Sequence, residues 1–244
     1  MIRLTLLSLL FSLNAYATIE LAIPDRFSQT EISKIEKGET LVRSLSVTQN
    51  GYKISAKAFL SYLPEQFLEV MQDYERYPEF MQVSGSSGSI DLEDRILSGK
   101  ILNSNIDPLT RLGELEYELE VFVKLSFVGF SIQEYQFTGQ FSAQYGQDID
   151  GTIIVNSRLI NPTEEISDKL KSLSHYWEVY PTQQGVYLYY ENSVTFAKPL
   201  TEPEWYDFVK PSLAEQKRII KETISQKVRK VIENYRDELN RTES

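Results

Sequence analysis

The sequence predicts an α+β fold in which a curved antiparallel sheet packs against one long C-terminal helix. Residues 114–123 alternate between mostly acidic and apolar side chains, as in a strand with one face in a core. Asn50-Gly51 stands between two alternating runs, which is typical of a β-hairpin. From residue 213 onward, apolar residues recur mostly at steps of four and three and predict an amphipathic helix. Such a helix needs a long apolar surface, which a sheet of about six or seven strands would supply.

The first 17 residues have the pattern of a cleaved secretory signal. Arg3 precedes an apolar run, Leu4–Leu13, and the small-x-small sequence Ala15-Tyr16-Ala17 follows it. The run is too short for a membrane span of roughly 20 residues, although a retained anchor or a buried first helix are alternatives. The chain has no cysteine, so a lipid-anchored cysteine and a disulfide framework are absent. We expect residues 18–244 to form a single domain with a short N-terminal helical extension, periplasmic or secreted after cleavage.

The charge distribution bears on the class of partner. The chain carries 25 Lys and Arg against 35 Asp and Glu, a formal net charge of −10 at pH 7. No nucleic-acid partner is expected, because this surface would repel phosphates. Residues 212–244 are mildly basic, with eight Lys and Arg against six Asp and Glu. Because of this segment, an alternative function remains: the protein could be an interaction module that contacts a protein partner or, transiently, an anionic membrane surface.

Two local signals mark the start of the domain. Ser28 and Glu31 have the spacing of a capping box and Gly38 follows, so residues 28–37 are predicted to form a short helix. The stretch TLVRSLSVTQNGYKISAKAFL then predicts two strands joined by a type I′ turn at Asn50-Gly51.

The stretch FLEVMQDYERYPEFMQ, residues 67–82, predicts two short helices with a joint between them. Its first part carries apolar side chains at core-facing spacing, at Phe67, Leu68, Val70, Met71 and Tyr74. Proline lacks a backbone donor and restricts the residue before it, so Tyr77-Pro78 is expected to break the first helix. Phe80 and Met81 would then turn toward the mouth of an interior space.

The middle of the chain predicts further strands. Ser84–Ser89 (SGSSGS) has the composition of a flexible loop. Strands are expected at Arg95–Asn103, 114–123, Gly129–Phe141 and Thr152–Ile160. SHYWEVYPTQQGVYLYYENSVTF then predicts a hairpin of two aromatic-rich strands with its turn at residues 181–185.

The last helix is predicted from Ser212 to Leu239, a length of about 42 Å. Ser212 and Glu215 have capping-box spacing at its start. Its apolar face comprises Leu213, Ile220, Ile224, Val228, Val231, Tyr235 and Leu239.

One motif carries a resemblance to a known family. Asp73, Tyr74, Tyr77, Pro78 and Phe80 match a D-Y-x-x-Y-P-x-F pattern. In this motif the chain resembles START-like (SRPBCC) domains of the polyketide cyclase, dehydrase and lipid-transport superfamily, including its coenzyme-Q-binding members. The resemblance covers residues 35–239 in the order of elements, and only the motif is specific. It implies a helix-grip fold, in which the sheet wraps the C-terminal helix and two short helices close one end of a cavity.

Few residues offer catalytic or metal-binding chemistry. His175 is the only histidine and cysteine is absent, which excludes Cys-His catalysis and disfavours His-rich metal sites. No G-x-S-x-G, Walker or dinucleotide-binding glycine pattern occurs. Glu114, Glu116, Glu118 and Glu120 would lie about 7 Å apart along one strand face, which favours a solvated surface over a metal site. No cofactor or metal is expected, and an inward, hydrogen-bonded role is favoured for His175 over that of a general base.

The aromatic-rich hairpin suggests where a ligand would bind. Pockets for apolar ligands are lined by apolar and aromatic side chains with a few polar groups, and a tightly packed core would explain the same pattern. Alternation places Val186, Leu188, Tyr190, Asn192, Val194 and Phe196 on one face. The candidate ligand-binding residues are Phe80, His175, Trp177, Leu188, Tyr190, Asn192, Ile224 and Val228.

These observations predict an exported binding protein for a hydrophobic small molecule. The expected ligand is a lipid or isoprenoid, held between the sheet and the C-terminal helix without chemical change. One alternative is a cyclase- or hydrolase-like enzyme in the same cavity, with His175 and a carboxylate as acid and base. The other is the interaction module suggested by the basic segment.

Overall fold

The structure, a computed structural model, describes residues 26–48, 50–87, 90–127, 130–197 and 213–242. The predicted signal segment and Ser212, the predicted helix cap, lie outside these residues. The strands are β1 (Leu41–Thr48), β2 (Gly51–Leu60), β3 (Gln82–Ser87), β4 (Ile90–Ile106), β5 (Gly113–Phe127), β6 (Phe130–Gln147), β7 (Ile153–Ile160), β8 (Leu170–Thr182) and β9 (Gly185–Phe196). The helices are α1 (Gln29–Ile35), α2 (Pro64–Gln72), α3 (Tyr77–Phe80), α4 (Glu164–Ser167) and α5 (Leu213–Thr242).

The described strands form one antiparallel sheet that curls around α5. Their order is β1-β2-β9-β8-β7-β6-β5-β4-β3. Helix α5 contacts β1 and β2 near one edge of this sheet and β3 at the other. The sheet therefore encloses the helix from both sides, which confirms the α+β helix-grip fold. The described part of the sheet has nine strands, where six or seven were predicted.

Side chains of α5 pair with the backbone of the edge strand β3. The side-chain amide of Gln226 accepts a hydrogen bond from the Ser86 N–H and donates one to the Ser86 carbonyl, both at 2.7 Å. Asn234 donates to the Gln82 carbonyl at 2.8 Å. An exposed strand edge is a template for unwanted pairing, and these amides cover it.

Strand β3 occupies a stretch for which the sequence predicted a loop. The prediction is wrong for residues 84–87, which pair with β4, while residues 88–89 lie outside the described residues. A methyl group added at Gly85 would lie 2.2 Å from the carbonyl oxygen of Thr223 on α5. The glycine therefore allows the strand and helix to approach each other closely, and its local composition gave no sign of this.

The first hairpin is confirmed, but its register differs from the prediction by one residue. Thr48 pairs with Gly51, so Gly51 belongs to strand β2 and the predicted turn at Asn50-Gly51 is wrong. A side chain at Gly51 would meet the Val194 carbonyl oxygen at 2.0 Å. Gly51 therefore serves the close packing of β2 on β9.

Helix α1 covers part of the outer face of the sheet. The Glu31 N–H donates to the Ser28 hydroxyl at 3.3 Å and the Ser28 N–H donates to the Glu31 carboxylate at 2.9 Å, which confirms the capping box. Ile32 and Ile35 are buried in a second apolar cluster with Phe27 and with three outward-facing tyrosines of β8 and β9, Tyr180, Tyr187 and Tyr189.

The joint between α2 and α3 is present, but it begins four residues before Tyr77. Asp73 leaves the helical conformation (φ −85°, ψ 64°), and a short 3-10 turn over residues 74–76 follows. Tyr77 and Pro78 begin α3, where the missing proline N–H needs no partner. The prediction that Phe80 and Met81 face the mouth is wrong. Both are buried in the main core, and the Phe80 ring centroid lies 6.1 Å from that of Tyr235 on α5.

Candidate ligand-binding site

Three polar side chains meet on the inner face of β8 and β9. His175 and Asn192 pair in register across the two strands, and Tyr190 lies two residues from Asn192 on the same face. The Tyr190 hydroxyl lies 2.7 Å from His175 Nδ1, and Asn192 Nδ2 lies 3.1 Å from the same nitrogen. The sequence assigned Tyr190 and Asn192 to one face and favoured an inward role for His175. The structure joins the three into one hydrogen-bonded group, the polar trio.

Burial keeps the polar trio uncharged. It lowers the pKa of His175 to about 4, because an imidazolium loses its hydration inside the sheet. Burial also raises the pKa of the Tyr190 hydroxyl. His175 Nδ1 accepts from Tyr190 and Asn192, so the ring proton lies on Nε2. Among the described residues no carboxylate contacts His175, whereas a histidine base is usually oriented by such a partner.

On one side of the trio, toward α2 and α3, aromatic rings fill the interior. The ring centroid of Trp177 lies 4.1 Å from that of Tyr190 and 5.6 Å from that of Tyr235. Phe67 packs 5.9 Å from Trp177, and the Tyr77 and Tyr235 hydroxyls are 2.6 Å apart. These five residues define the filled half, where spacings match those of packed aromatic cores.

Most of the remaining candidate residues also lie in the main core. The buried ones are Phe80, Trp177, Leu188, Ile224 and Val228. Their inward orientation agrees with the sequence analysis, and their contact with a ligand stays a prediction. In the free protein their neighbours are other side chains of the core.

On the other side of the trio, toward the first turns of α5, the inner face is only partly covered. Twelve described apolar residues pack against the main core while keeping part of their surface exposed, and six of them lie on this side: Tyr52, Leu92, Ile96, Val121, Leu173 and Ile220. These six define the open half. Leu173 lies two residues before His175 on the same face of β8. The polar trio therefore lies at the boundary between the two halves.

An ion pair lies on the helix side of the open half. Asp94 Oδ2 accepts a hydrogen bond from Lys227 Nζ, and their side chains are 23% and 13% exposed. Asp94 pairs in register with Val83 and Val123, and Val83 belongs to the main core, so the carboxylate is on the inner face. Sequence reasoning missed this pair because its members are 133 residues apart and neither lies in a recognisable motif.

Two buried atoms near this ion pair lack hydrogen-bond partners. They are Asp94 Oδ1 and the Thr223 hydroxyl oxygen. Thr223 lies four residues before Lys227, so both point from the same face of α5. Unpaired buried polar atoms are few in folded proteins and require a physical explanation.

Tyr52, one of the six lining residues of the open half, carries a further polar group. Burial raises the pKa of its hydroxyl well above the usual value, and the charges of Asp94 and of ionised Tyr190 would raise it further. Tyr52 pairs in register with Val194, two residues after Asn192, so it lies on the same inner face as the polar trio.

Leu92 and Ile96 flank Asp94 at two-residue spacing on β4, just as Leu173 precedes His175 on β8. The lining of the open half therefore adjoins polar groups on both sides, the trio on the sheet side and the ion pair on the helix side, which together form its polar region.

Other surfaces of the described residues offer weaker candidates. No three His, Cys, Asp or Glu side chains converge there as metal ligands would. Glutamines of β6 donate to Glu114, Glu118 and Glu120 at 2.7–3.2 Å on the outer face. Two open surface depressions lie on α1 and beside α4. In the part of the chain that the structure describes, no helix is long and apolar enough to cross a membrane.

Comparison with known proteins identifies the fold. Neither a scan against protein-family models nor a search of curated proteins gave a match. The STAR-related lipid transfer protein from Xanthomonas axonopodis superposes with a TM-score of 0.53 at 14% identity, over 82% of this chain and 93% of that chain. The Zhui aromatase/cyclase from Streptomyces sp. R1128 gives a TM-score of 0.46 at 10% identity, over 80% and 96%. The first similarity establishes the START-like fold that the sequence motif implied, and at this identity it establishes the fold alone.

Proposed function

We propose that the protein binds a hydrophobic small molecule of the lipid or isoprenoid class in the open half, without changing it chemically. The observation that carries this proposal is the partly exposed apolar lining around a buried polar region. Ligand pockets combine such a lining with a few polar groups that fix orientation. Covering this lining would contribute roughly 25 cal/mol for each Å² of apolar surface removed from water.

The filled half limits where the ligand can lie. A ligand there would have to displace Trp177 or Tyr235 from close-packed contacts, and overpacking a core typically costs about 1–3 kcal/mol. We therefore place the apolar body of the ligand in the open half and its polar end against the trio. The START-like fold, shared with a protein named for lipid transfer, supports this class of ligand.

Binding without chemistry is favoured over the cyclase- or hydrolase-like alternative. A general base works best when its pKa lies near the operating pH, and burial lowers the pKa of His175 to about 4. Its hydrogen-bond partners are a tyrosine and an asparagine. The proposal includes export, on the basis of residues 1–17. Contact of the mildly basic last segment with a membrane surface stays a prediction.

Binding can be tested by filling the open half. We expect residues 18–244 to take up a fluorescent lipid or quinone, and Val121→Trp to weaken this affinity at least about tenfold. Leu102→Trp is the control, because Leu102 is 41% exposed, and it should leave the affinity unchanged. Fluorescence titration measures all three proteins, and native mass spectrometry detects lipid that co-purifies. A wild type that binds no apolar probe, or a Val121→Trp variant with undiminished affinity, would overturn the proposal.

A further inference from the structure

We infer that the polar region of the open half selects ligands whose head group is uncharged and donates a hydrogen bond, such as an alcohol, over the corresponding carboxylates. This inference rests on the proposed function and adds the chemistry of the ligand's polar end. It follows from the ion pair of Asp94 and Lys227, from Thr223, and from the uncharged groups that face them.

One carboxylate oxygen of Asp94 accepts a hydrogen bond and the other does not. Oδ2 accepts from Lys227 Nζ, while Oδ1 is buried without a hydrogen-bond partner. An ionised carboxylate only accepts hydrogen bonds, so Oδ1 is satisfied only by a donor. Leaving a buried acceptor unpaired is unfavourable. A bound molecule that brings a donor to Oδ1 would remove this penalty.

Thr223 adds a second unpaired atom on the same side of the open half. Its side chain is buried, and its hydroxyl oxygen has no partner. The close approach of Gly85 to the Thr223 carbonyl fixes this turn of α5 against β3. A ligand hydroxyl can donate to Asp94 and accept from Thr223 at the same time, since a hydroxyl has one donor and two acceptor sites.

The electrostatics disfavour an anionic head group. Asp94 would repel a second carboxylate, and Lys227, the nearby cation, is already paired with Asp94. Among the described residues, the other titratable groups of this polar region are Tyr52, Tyr190 and His175. Burial disfavours the charged form of each of them, so none supplies a counter-charge.

Retinol and retinoic acid test this preference, because they share one apolar isoprenoid body and differ at the head. We expect residues 18–244 to bind retinol at least about tenfold more tightly than retinoic acid in fluorescence titrations at pH 7. Asp94→Asn removes the negative charge and keeps the size, and should bring the two affinities within about threefold. Asp91→Asn is the matched control on the same strand, where Asp91 is exposed, and should preserve the preference.

Thr223→Val provides a second test that does not depend on altering the ion pair. The substitution removes the unpaired hydroxyl and keeps the shape of the side chain. We expect retinol affinity to fall about threefold or more, while the melting temperature of the ligand-free protein is unchanged or higher. A purely structural hydroxyl would instead lower the melting temperature and leave retinol affinity unchanged.

The outcomes separate the inference from the proposed function. Wild-type protein that binds both retinoids within threefold of each other would overturn the head-group selection and leave apolar binding intact. An Asp94→Asn variant that is folded, as judged by circular dichroism, and keeps the tenfold preference for retinol would also overturn the head-group selection. Failure of retinol, retinoic acid and the apolar probes to bind at all would overturn both.

Discussion

His175 shows how its surroundings, more than its residue type, determine what a side chain can do. An exposed imidazole has a pKa near 6.5 and could serve as an acid or base at neutral pH. On the inner face of β8, His175 has a pKa of about 4 and accepts hydrogen bonds at Nδ1. A neutral, oriented acceptor of this kind suits recognition of a ligand better than proton transfer.

The depressed pKa of His175 predicts a pH-dependent stability. Between pH 6.5 and pH 4 the unfolded chain binds a proton at this residue that the folded chain does not. The contribution of neutral His175 to the free energy of unfolding should therefore be complete above pH 6.5. It should be lost as the pH falls toward 4, which lowers the free energy of unfolding by up to about 3 kcal/mol. NMR titration is unambiguous because the chain has one histidine.

A His175→Gln variant provides the control for this titration. It keeps a polar side chain and removes the titrating group, so the difference in pH dependence between wild type and variant isolates His175 from the carboxylates. Denaturant unfolding at several pH values would measure that difference. If His175 of the folded wild type titrated near pH 6.5, this result would contradict the conclusion that its imidazole is buried and neutral.

For single residues, the sequence was sufficient to predict the inward orientation of the polar trio but not the ion pair of Asp94 and Lys227. Residues 175, 190 and 192 lie on one hairpin. Alternation assigned Tyr190 and Asn192 to one face, and an inward role was separately favoured for His175. Asp94 and Lys227 meet only because α5, at the far end of the chain, packs against β4. Charge pairing over that separation has no local sequence signature.

At the scale of elements, helix α5 is held by contacts with strands at both edges of the sheet, β1 and β2 on one side and β3 on the other. Its buried face includes Val228 and Tyr235, as its apolar spacing predicted. Ile232 is also buried, whereas Val231, which the spacing placed on this face, is only partly buried. The spacing did not predict that Lys227, beside this face, would be mostly buried by its ion pair with Asp94. Nor did composition distinguish strand β3 from a loop, because the close approach at Gly85 is a tertiary contact.

A charge placed on the buried face of α5 tests this packing. Val228→Asp would bury a carboxylate without a partner and should destabilise the protein by about 3–5 kcal/mol. Arg229→Asp, at the next and exposed position, should cost less than about 1 kcal/mol. Chemical denaturation followed by circular dichroism compares the two. Equal losses would mean that α5 does not lie on the sheet with this face.

At the scale of the whole molecule, the division into a filled and an open half explains why the packing of the interior was only partly predictable. Local alternation identifies inward-facing side chains but gives no information about how closely opposite walls approach. Trp177 and Tyr235 come from different elements, and their contact at 5.6 Å is set by the curl of the sheet. The same inward residues could therefore have lined a cavity or formed a core, and the structure assigns Trp177 to a core.

Export belongs to this scale, because it determines in which compartment the whole chain folds and meets its ligand. If residues 1–17 are a cleaved signal, protein in the periplasmic fraction of a Gram-negative host should begin at Thr18. Leu9→Arg would interrupt the apolar run that export requires and should retain the chain in the cytoplasm with Met1 intact, whereas Leu9→Ile should be exported and cleaved normally. N-terminal sequencing of both fractions gives the result. Periplasmic protein that still carries Met1 would contradict cleavage, and efficient export of Leu9→Arg would show that this run does not direct export.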